Sequence, residues 1–230
     1  MMQEKKTIGA LFDRIAASYD SLNHILSLGI DRAWRRNAVR EMRPVSALLD
    51  VAVGTADLTL EVLKQQKAKR ILGIDLSEKM MEVGRSKIQK EFPNADVTFQ
   101  KASAFDIPFP DNSFGAVTCA FGVRNFSDLD CGLEQMYRVL ENGGELMILE
   151  LSYPSSRLLA WWYDLYFSHI LPRVGGCLSR DRAAYNYLNR SVKHFIWGEE
   201  MCQHLRNVGF SQVTFTPLTF GIATVYRAFK

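Results

Sequence analysis

The chain has 230 residues, 47% of them hydrophobic, which is enough for one large domain with a full core. Its 28 basic and 25 acidic side chains leave a net charge of only +3, without the dense basic stripe of a general nucleic-acid binder. The four cysteines lie far apart and form no Cys-x-x-Cys or Cys/His ligand pattern. We therefore expect no nucleic-acid partner, no bound metal and a reducing, cytoplasmic setting.

Membrane-spanning and export signals are not expected. Residues 1–10 are polar and lysine-bearing and lack the apolar stretch of a signal peptide. The most apolar segment, residues 158–171, is too short to span a bilayer and contains Asp164. Peripheral contact with the inner face of the membrane stays open.

Strands and helices are predicted to alternate after Pro44. The apolar runs and turn signals predict strands at 47–53, 70–76, 97–102, 114–121 and 145–151. They predict helices at about 58–67 capped by Asp57, at 77–90 capped by Ser77, and at 128–140 stopped by Asn142-Gly143-Gly144.

The alternation ends after residue 152. A helix is predicted at 199–207, and strands at 213–218 and 222–228 are separated by only three residues, which permits a hairpin but no crossover. The expected α/β fold is a mostly parallel, seven-stranded, Rossmann-like sheet with an antiparallel last strand and N-terminal helices. It resembles the class I S-adenosylmethionine-dependent methyltransferases.

We expect a single domain of residues 1–230 with four parts. They are an N-terminal helical cap at 1–43, a cofactor-binding half at 44–152, an acceptor or lid insertion at 153–200, and a closing helix and strands at 201–230.

Candidate cofactor residues follow the strands, because ligands of open α/β sheets bind beyond the carboxyl ends of the strands. Gly54 permits a tight turn, and Thr55 offers a hydroxyl. The neighbouring backbone amides can hold the methionine carboxylate near a helix start. Asp50 suits the α-ammonium, directly or through water, and Asp75 suits the ribose hydroxyls. The adenine and methionine portions are expected near the residues after the third and fourth strands, which are Ser103, Ala104, Ala120, Phe121 and Gly122.

The turn after the first strand favours S-adenosylmethionine over a dinucleotide. The G-x-G-x-x-G spacing is absent, since Gly54 is the one glycine among Ala52, Gly54 and Ala56. A purely structural turn is the alternative, and Asp75 at its expected distance along the chain argues against it.

Several separate motifs then point to one family. Residues 19–23 (Tyr-Asp-Ser-Leu-Asn) with 26–34, and residues 138–144 with 149–152, resemble the two signatures of the ubiquinone/menaquinone biosynthesis C-methyltransferases. Residues 108–114, 121–126, 171–175 and 211–213 are similar to further motifs of that family. The resemblance covers about residues 10–230.

The resemblance implies methyl transfer to a ring carbon of a polyprenylated quinol. It implies cofactor contacts at Thr55, Asp75, Ser103, Ala104 and Ala120. The chain departs from the family pattern at Val53 and Ala56, where glycine is common, at Ala120, where many members have serine, and at Asp31, which replaces a histidine.

The acceptor side requires a group that stabilises the phenolate of the quinol. Arg124 stays protonated and follows the fourth strand, and Asn125 is placed to orient the hydroxyl. The alternative for Arg124 is that it pairs with a nearby acid and braces its loop. The candidates for acceptor contact are Tyr19, His169, His194 and Tyr185. The candidates for the general base are Asp31 and a water relayed to an acid.

Demethylmenaquinol is the preferred acceptor. The alternatives are a benzoquinol precursor of ubiquinone, or both quinols, and a non-catalytic S-adenosylmethionine-binding scaffold for other quinone enzymes. A nicotinamide oxidoreductase is the least favoured hypothesis. A homo-oligomer is compatible with the sequence.

Overall fold

A computed structural model of the chain describes most of the predicted core. The described residues are 9–10, 12–16, 19–21, 23–24, 27–154, 156, 161, 163, 165, 191–192 and 195–230.

Seven strands form one sheet in the order β3-β2-β1-β4-β5-β7-β6. The strands are β1 Val45–Val51, β2 Ala68–Asp75, β3 Asp96–Lys101, β4 Phe114–Ala120, β5 Leu140–Leu151, β6 Ser211–Leu218 and β7 Ala223–Phe229. All neighbours are parallel except β7, which runs antiparallel to both β5 and β6. The predicted mostly parallel sheet with an antiparallel last strand is thereby confirmed.

Five helices cover the two faces of the described sheet. They are α1 Ile30–Arg40, α2 Asp57–Lys64, α3 Glu78–Glu91, α4 Leu129–Val139 and α5 Glu199–Val208. Described residues of the segment before Leu28 are also mostly helical, as the sequence predicted.

Of the two predicted helix N-caps, Ser77 is confirmed and Asp57 is wrong. The side chains of Ser77 and Asp128 accept the amides of Met80 and Cys131 at the starts of α3 and α4. The N-cap of α2 is instead Ala56, and Asp57 lies inside the helix. Its carboxylate forms ion pairs with more distant residues, described below, which compete with capping.

The end of α4 also differs from the prediction. The helix stops at Val139, and Leu140 already pairs with Phe114 in the sheet. The fifth strand therefore begins five residues before the predicted Glu145, with a register shift opposite Phe114 and Ala116.

Successive strand residues send their side chains to opposite faces of the sheet. Leu49 and Ile148 pack with residues of α4 and α5, whereas Leu48 and Met147 pack with residues of α1 and α2. With both faces covered, the carboxyl edge of the sheet is left to bind ligands. The order of the strands reverses between β1 and β4, which is where such folds bind them.

Candidate functional site

The turn between β1 and α2 has a left-handed backbone at three alternate residues. The φ angles of Ala52, Gly54 and Ala56 are +56°, +54° and +65°, a conformation that costs an L-residue roughly 1 kcal/mol. The Ala56 amide donates to the Val53 carbonyl at 2.9 Å, and the Gly54 amide donates to Asp75 Oδ2 at 2.9 Å. The turn therefore keeps the shape of a glycine-rich turn although two of its three small residues are alanine.

Asp75 ends β2 and is held in one orientation. Its Oδ1 accepts the Ser77 amide at 2.8 Å, and its Oδ2 accepts the Gly54 amide. Burial raises the pKa of Asp75, and these backbone hydrogen bonds oppose that shift. The carboxylate is thus a fixed acceptor in the wall of a cleft at the carboxyl edge.

About 840 Å³ of space lies in that cleft and in the solvent at its mouth. The sequence-predicted residues that line it are Tyr19, Gly54, Asp75, Ser103, Ala104, Ala120, Phe121, Gly122 and Asn125. Aromatic rings also line the cleft, with Phe105 edge-on to Phe126 at 5.5 Å and Phe12 edge-on to Tyr19 at 6.0 Å between centroids. A planar ligand of mixed polarity suits these walls.

A smaller, partly open cavity adjoins the cleft, and Asp50 and Thr55 line it. About 350 Å³ of space lies in this cavity and in the solvent at its mouth. Asp50 is 1% exposed, and its two oxygens accept the hydroxyls of Thr59 and Thr118 at 2.7 and 2.8 Å. Burial raises the pKa of Asp50 to about 6. The Thr55 hydroxyl donates to Asp20 Oδ1 at 2.5 Å.

Arg124 lies in the short 3₁₀ helix after β4 and is buried against an acid. Its NH1 donates to Glu150 Oε1 at 2.5 Å and to the Phe121 carbonyl at 2.7 Å. The Asn125 amide also reaches the Phe121 carbonyl, at 3.4 Å. The ion pair anticipated as an alternative for Arg124 is thus present. The Arg124 charge still reaches the cleft, because it lowers the pKa of Tyr19, which burial raises.

An ion-pair network joins the N-terminal segment to the turn between β1 and α2, residues 52–56, which is called the cofactor turn below. Asp20 accepts the Thr55 hydroxyl and pairs with Lys87 at 2.8 Å, and Lys87 also pairs with Asp57. Asp57 in turn lies 3.4 Å from Arg35 NH2. Sequence reasoning missed Asp20, Lys87 and Arg35 as site residues. The available signal was that Asp20 lies within the first signature and Arg35 directly follows it.

Asp31 continues this network and is a poor candidate for a general base. It accepts hydrogen bonds from Ser27 at 2.7 Å and Arg35 at 2.5 Å, and His24 Nδ1 lies at 2.8 Å. Burial opposes ionisation, but the hydrogen bonds from Ser27 and Arg35 hold the pKa of Asp31 below its usual value. His24, Asp31 and Asp57 come within metal-ligand reach of one another, but both carboxylates are already paired with cations.

The remaining predicted acceptor residues, His169, Tyr185 and His194, lie outside the described residues, as does most of the predicted insertion at 153–200.

Comparison of the fold identifies the class of protein. A methyltransferase of Thermotoga maritima, described as a possible histamine N-methyltransferase, has a TM-score of 0.67 at 19% identity, covering 96% of this chain and 99% of that one. The [4+2]-cyclase SpnF has a TM-score of 0.72 at 16% identity, covering 98% and 96%. The fold is that of the class I S-adenosyl-L-methionine-dependent methyltransferases.

Comparison of the sequence identifies the family. The model of the ubiE/COQ5 methyltransferase family matches residues 1–230. The demethylmenaquinone methyltransferase of Bacteroides fragilis is 44% identical over 230 residues, which is 99% of this chain and 94% of the relative. The ubiquinone/menaquinone biosynthesis C-methyltransferase UbiE of Geotalea daltonii is 42% identical over 233 residues, 100% and 99% of the two chains. The chain belongs to the ubiE/COQ5 methyltransferase family.

Proposed function

We propose that the protein methylates a ring carbon of demethylmenaquinol, giving menaquinol. The observation that carries this proposal is 44% identity along nearly the whole chain to a demethylmenaquinone methyltransferase. The aromatic walls of the cleft, formed in part by Phe105 and Phe126, suit a flat quinol ring.

We propose S-adenosyl-L-methionine as the methyl donor, and the described walls fit this cofactor. A side chain at Gly54 would meet nothing nearer than the Ala52 carbonyl oxygen at 3.9 Å, so the turn leaves open space in front of its backbone. We assign the ribose hydroxyls to Asp75, the adenine to Ser103 and Ala104, and the methionine portion to the walls around Asp50, Thr55 and Ala120. When bound, the cofactor supplies a methyl group already activated by its sulfonium.

The protein's own task is to make the ring carbon nucleophilic. Burial raises the pKa of Tyr19, so its hydroxyl stays protonated and donates to the quinol oxygen. Asn125 orients that oxygen, and the Arg124 charge behind them stabilises the phenolate. Asp75 is the one carboxylate among the described residues of the large cleft. Because Asp75 is assigned to the ribose, we assign the hydroxyl proton to water. After methyl transfer the ring carbon gives its proton to water and the quinol oxygen takes one back, so that both hydroxyls are restored and one proton is released overall.

A benzoquinol acceptor is the second candidate, because a 42% identical relative is named for both ubiquinone and menaquinone biosynthesis. The test is a competition between short-chain demethylnaphthoquinol and demethylbenzoquinol, each kept reduced, with a labelled methyl donor. We expect label in the naphthoquinol at several times the rate of the benzoquinol. The reverse ratio would assign the benzoquinol instead, and labelling of neither would support a scaffold role.

The polyprenyl tail of such an acceptor resides in a membrane, so we propose peripheral contact from the cytoplasmic side. No described helix is both long and apolar enough to cross a bilayer. Leu28 and Phe220 are each 78% exposed. Phe220 follows β6 at the carboxyl edge of the sheet. The preceding residue, Thr219, accepts a hydrogen bond from the indole of Trp34 in α1 at 2.8 Å. We also assign the tail to the predicted insertion at 153–200.

Vesicle binding tests this contact. The double variant Leu28→Ser/Phe220→Ser should sediment less with phosphatidylglycerol vesicles, because it removes apolar side chains that insert at the interface. Its turnover of a short-chain quinol in solution should stay normal. Unchanged sedimentation would count against this surface.

A further inference from the structure

The outer face of α1 carries a row of arginines. Arg32, Arg36 and Arg40 are exposed, and residues four apart lie on one face of a helix. The buried Arg35 of the same helix pairs with Asp31, whereas neither Arg32 nor Arg36 forms an ion pair with any acid that the structure describes. The outer face therefore presents two positive charges that no described acid neutralises by contact.

The N-terminal end of α1 lies at the carboxyl edge of the sheet. Near that end, the Trp34 indole donates to Thr219, and its ring packs at 6.3 Å between centroids from Phe121, which follows β4. At the other end, the Arg40 carbonyl accepts Lys67 Nζ at 2.9 Å, and Lys67 directly precedes β2 at the opposite edge. The helix therefore runs from the edge that holds the cleft to the amino edge.

Apolar side chains lie at the same end of α1. Leu28 and Phe220 are the two most exposed large apolar side chains in the described part of the chain, and Ile30, the first residue of α1, is 38% exposed. Leu28 and Phe220 also have left-handed backbones, with φ of +53° and +58°, a conformation that is unfavourable for an L-residue. Exposed apolar groups on an unfavourable backbone indicate a binding surface.

We propose that the N-terminal end of α1 docks on an anionic membrane surface, with Leu28 and Ile30 entering the interface and Arg32 and Arg36 pairing with lipid phosphates. Charge complementarity selects this occupant, because anionic headgroups attract clustered arginines and the apolar side chains beside them insert at the interface. This docking rests on the proposed methylation of a polyprenylated quinol. It turns the carboxyl edge, and with it the cleft, toward the bilayer that holds the acceptor.

The distance along the helix separates the three arginines. A helix rises about 1.5 Å per residue, so Arg32 and Arg36 lie about 3 and 9 Å along the axis from Ile30, and Arg40 lies about 15 Å from it. Salt screens charges over about 8 Å at physiological ionic strength, and helical side chains lean toward the N-terminus, which brings Arg36 closer to the surface. Arg40 also pairs with Glu41 at 3.3 Å. The lipid contact therefore belongs to Arg32 and Arg36, with Arg40 as the control.

Vesicle sedimentation tests the charges separately from the apolar contact. The protein is mixed with vesicles of phosphatidylcholine, with or without phosphatidylglycerol, and the bound fraction gives a partition coefficient. We expect the wild type to prefer the anionic vesicles. Arg32→Gln/Arg36→Gln should bind them about 25-fold more weakly, because each arginine near the surface contributes roughly 5-fold. The matched control Arg40→Gln should bind within about 2-fold of the wild type.

Turnover of a short-chain quinol in solution reports the folding of each variant and should stay at the wild-type rate. If the double variant does not fold, the single variants Arg32→Gln and Arg36→Gln decide, each about 5-fold weaker on anionic vesicles. Equal binding of the wild type to both kinds of vesicle, or wild-type binding by the folded arginine variants, would overturn the lipid contact.

Two further outcomes are distinguishable from these. A wild-type dimer that the double variant converts to a monomer, with vesicle binding unchanged, would overturn the lipid contact and assign this face to a second copy of the chain. If the wild type turns over no quinol, the proposed function fails, while the partition coefficients still decide whether Arg32 and Arg36 bind anionic lipid.

Discussion

Replacing Asp50 by asparagine should stabilise the protein at neutral pH. Burial raises the pKa of this carboxyl from its ordinary 3.8 to about 6. The folded state therefore binds the proton more tightly than the unfolded state, and the Asp50 contribution to the free energy of unfolding falls as the pH rises from about 4 to above 6. At about 1.4 kcal/mol per pKa unit, the rise of the pKa from 3.8 to about 6 lowers the free energy of unfolding at neutral pH by about 3 kcal/mol. Solvent screens this carboxylate very little, because Asp50 is almost completely buried.

The assay is urea unfolding of wild type and Asp50→Asn at several pH values between 4 and 8. The variant should gain about 3 kcal/mol above pH 7, roughly 6–12 °C in melting temperature for a chain of this size, and nearly nothing at pH 4. Asp96→Asn, an exposed acid on β3, serves as the control and should show no such pH dependence. A stability difference for Asp50→Asn that does not change with pH would refute the reasoning.

Three further predictions concern the cleft. Arg124→Met should lower turnover about 10- to 100-fold, because the phenolate loses its stabilising charge. Its affinity for S-adenosyl-L-homocysteine, measured by calorimetry, should stay within about 2- to 3-fold of that of the wild type. Normal turnover would remove the proposed role of Arg124. In the same titration, Asp75→Asn should raise the dissociation constants of S-adenosyl-L-homocysteine and of 5′-methylthioadenosine, which keeps the adenosyl part but lacks the amino-acid end, alike by roughly 10-fold. An effect on only one of the two ligands would contradict the assignment of the ribose to Asp75. Gly122→Ala should lower the free energy of unfolding, measured with urea, by about 1–3 kcal/mol, because the new Cβ would meet Cys119 Sγ at 2.7 Å and Ala52 Cβ at 2.8 Å. Adding Ala52→Gly should restore part of that free energy. Strict additivity of the two substitutions would contradict the contact between the residues.

The cleft was predictable where the topology alone brings residues together. Asp75, Ser103 and Ala120 are far apart in sequence, but each follows a parallel strand, and parallel strands end at one edge of the sheet. Strand pairing also accounts for the Arg124 ion pair. Ala120 lies opposite Leu149, so Glu150 lies one residue beyond the end of β4, beside the loop that carries Arg124.

The smaller cavity was not predictable from local patterns. Arg35 reaches Asp57 and Lys87 reaches Asp20 only because the N-terminal segment packs on the cofactor turn, and ion pairs between distant elements leave no periodic signal. The same long-range contacts explain the wrong cap at Asp57, since local capping preference lost to pairing with Lys87.

The backbone of the turn was also hidden from the sequence. Alanine is rare in the left-handed conformation, so Ala52 and Ala56 indicated a departure from the glycine-rich turn. The structure keeps that turn, with hydrogen bonds from Gly54 to Asp75 and from Ala56 to Val53 fixing it.

The most direct test of the account follows one methyl group to its product. The protein is incubated with trideuteromethyl-labelled S-adenosyl-L-methionine and a reduced short-chain demethylmenaquinol, with Asp75→Asn as the matched weak-binding variant. Mass spectrometry and proton spectra of the product should find one labelled methyl on the ring carbon, with the ring proton lost and both hydroxyls intact. A label on oxygen, or no labelled quinol from a protein that binds the donor, would contradict C-methylation of this acceptor.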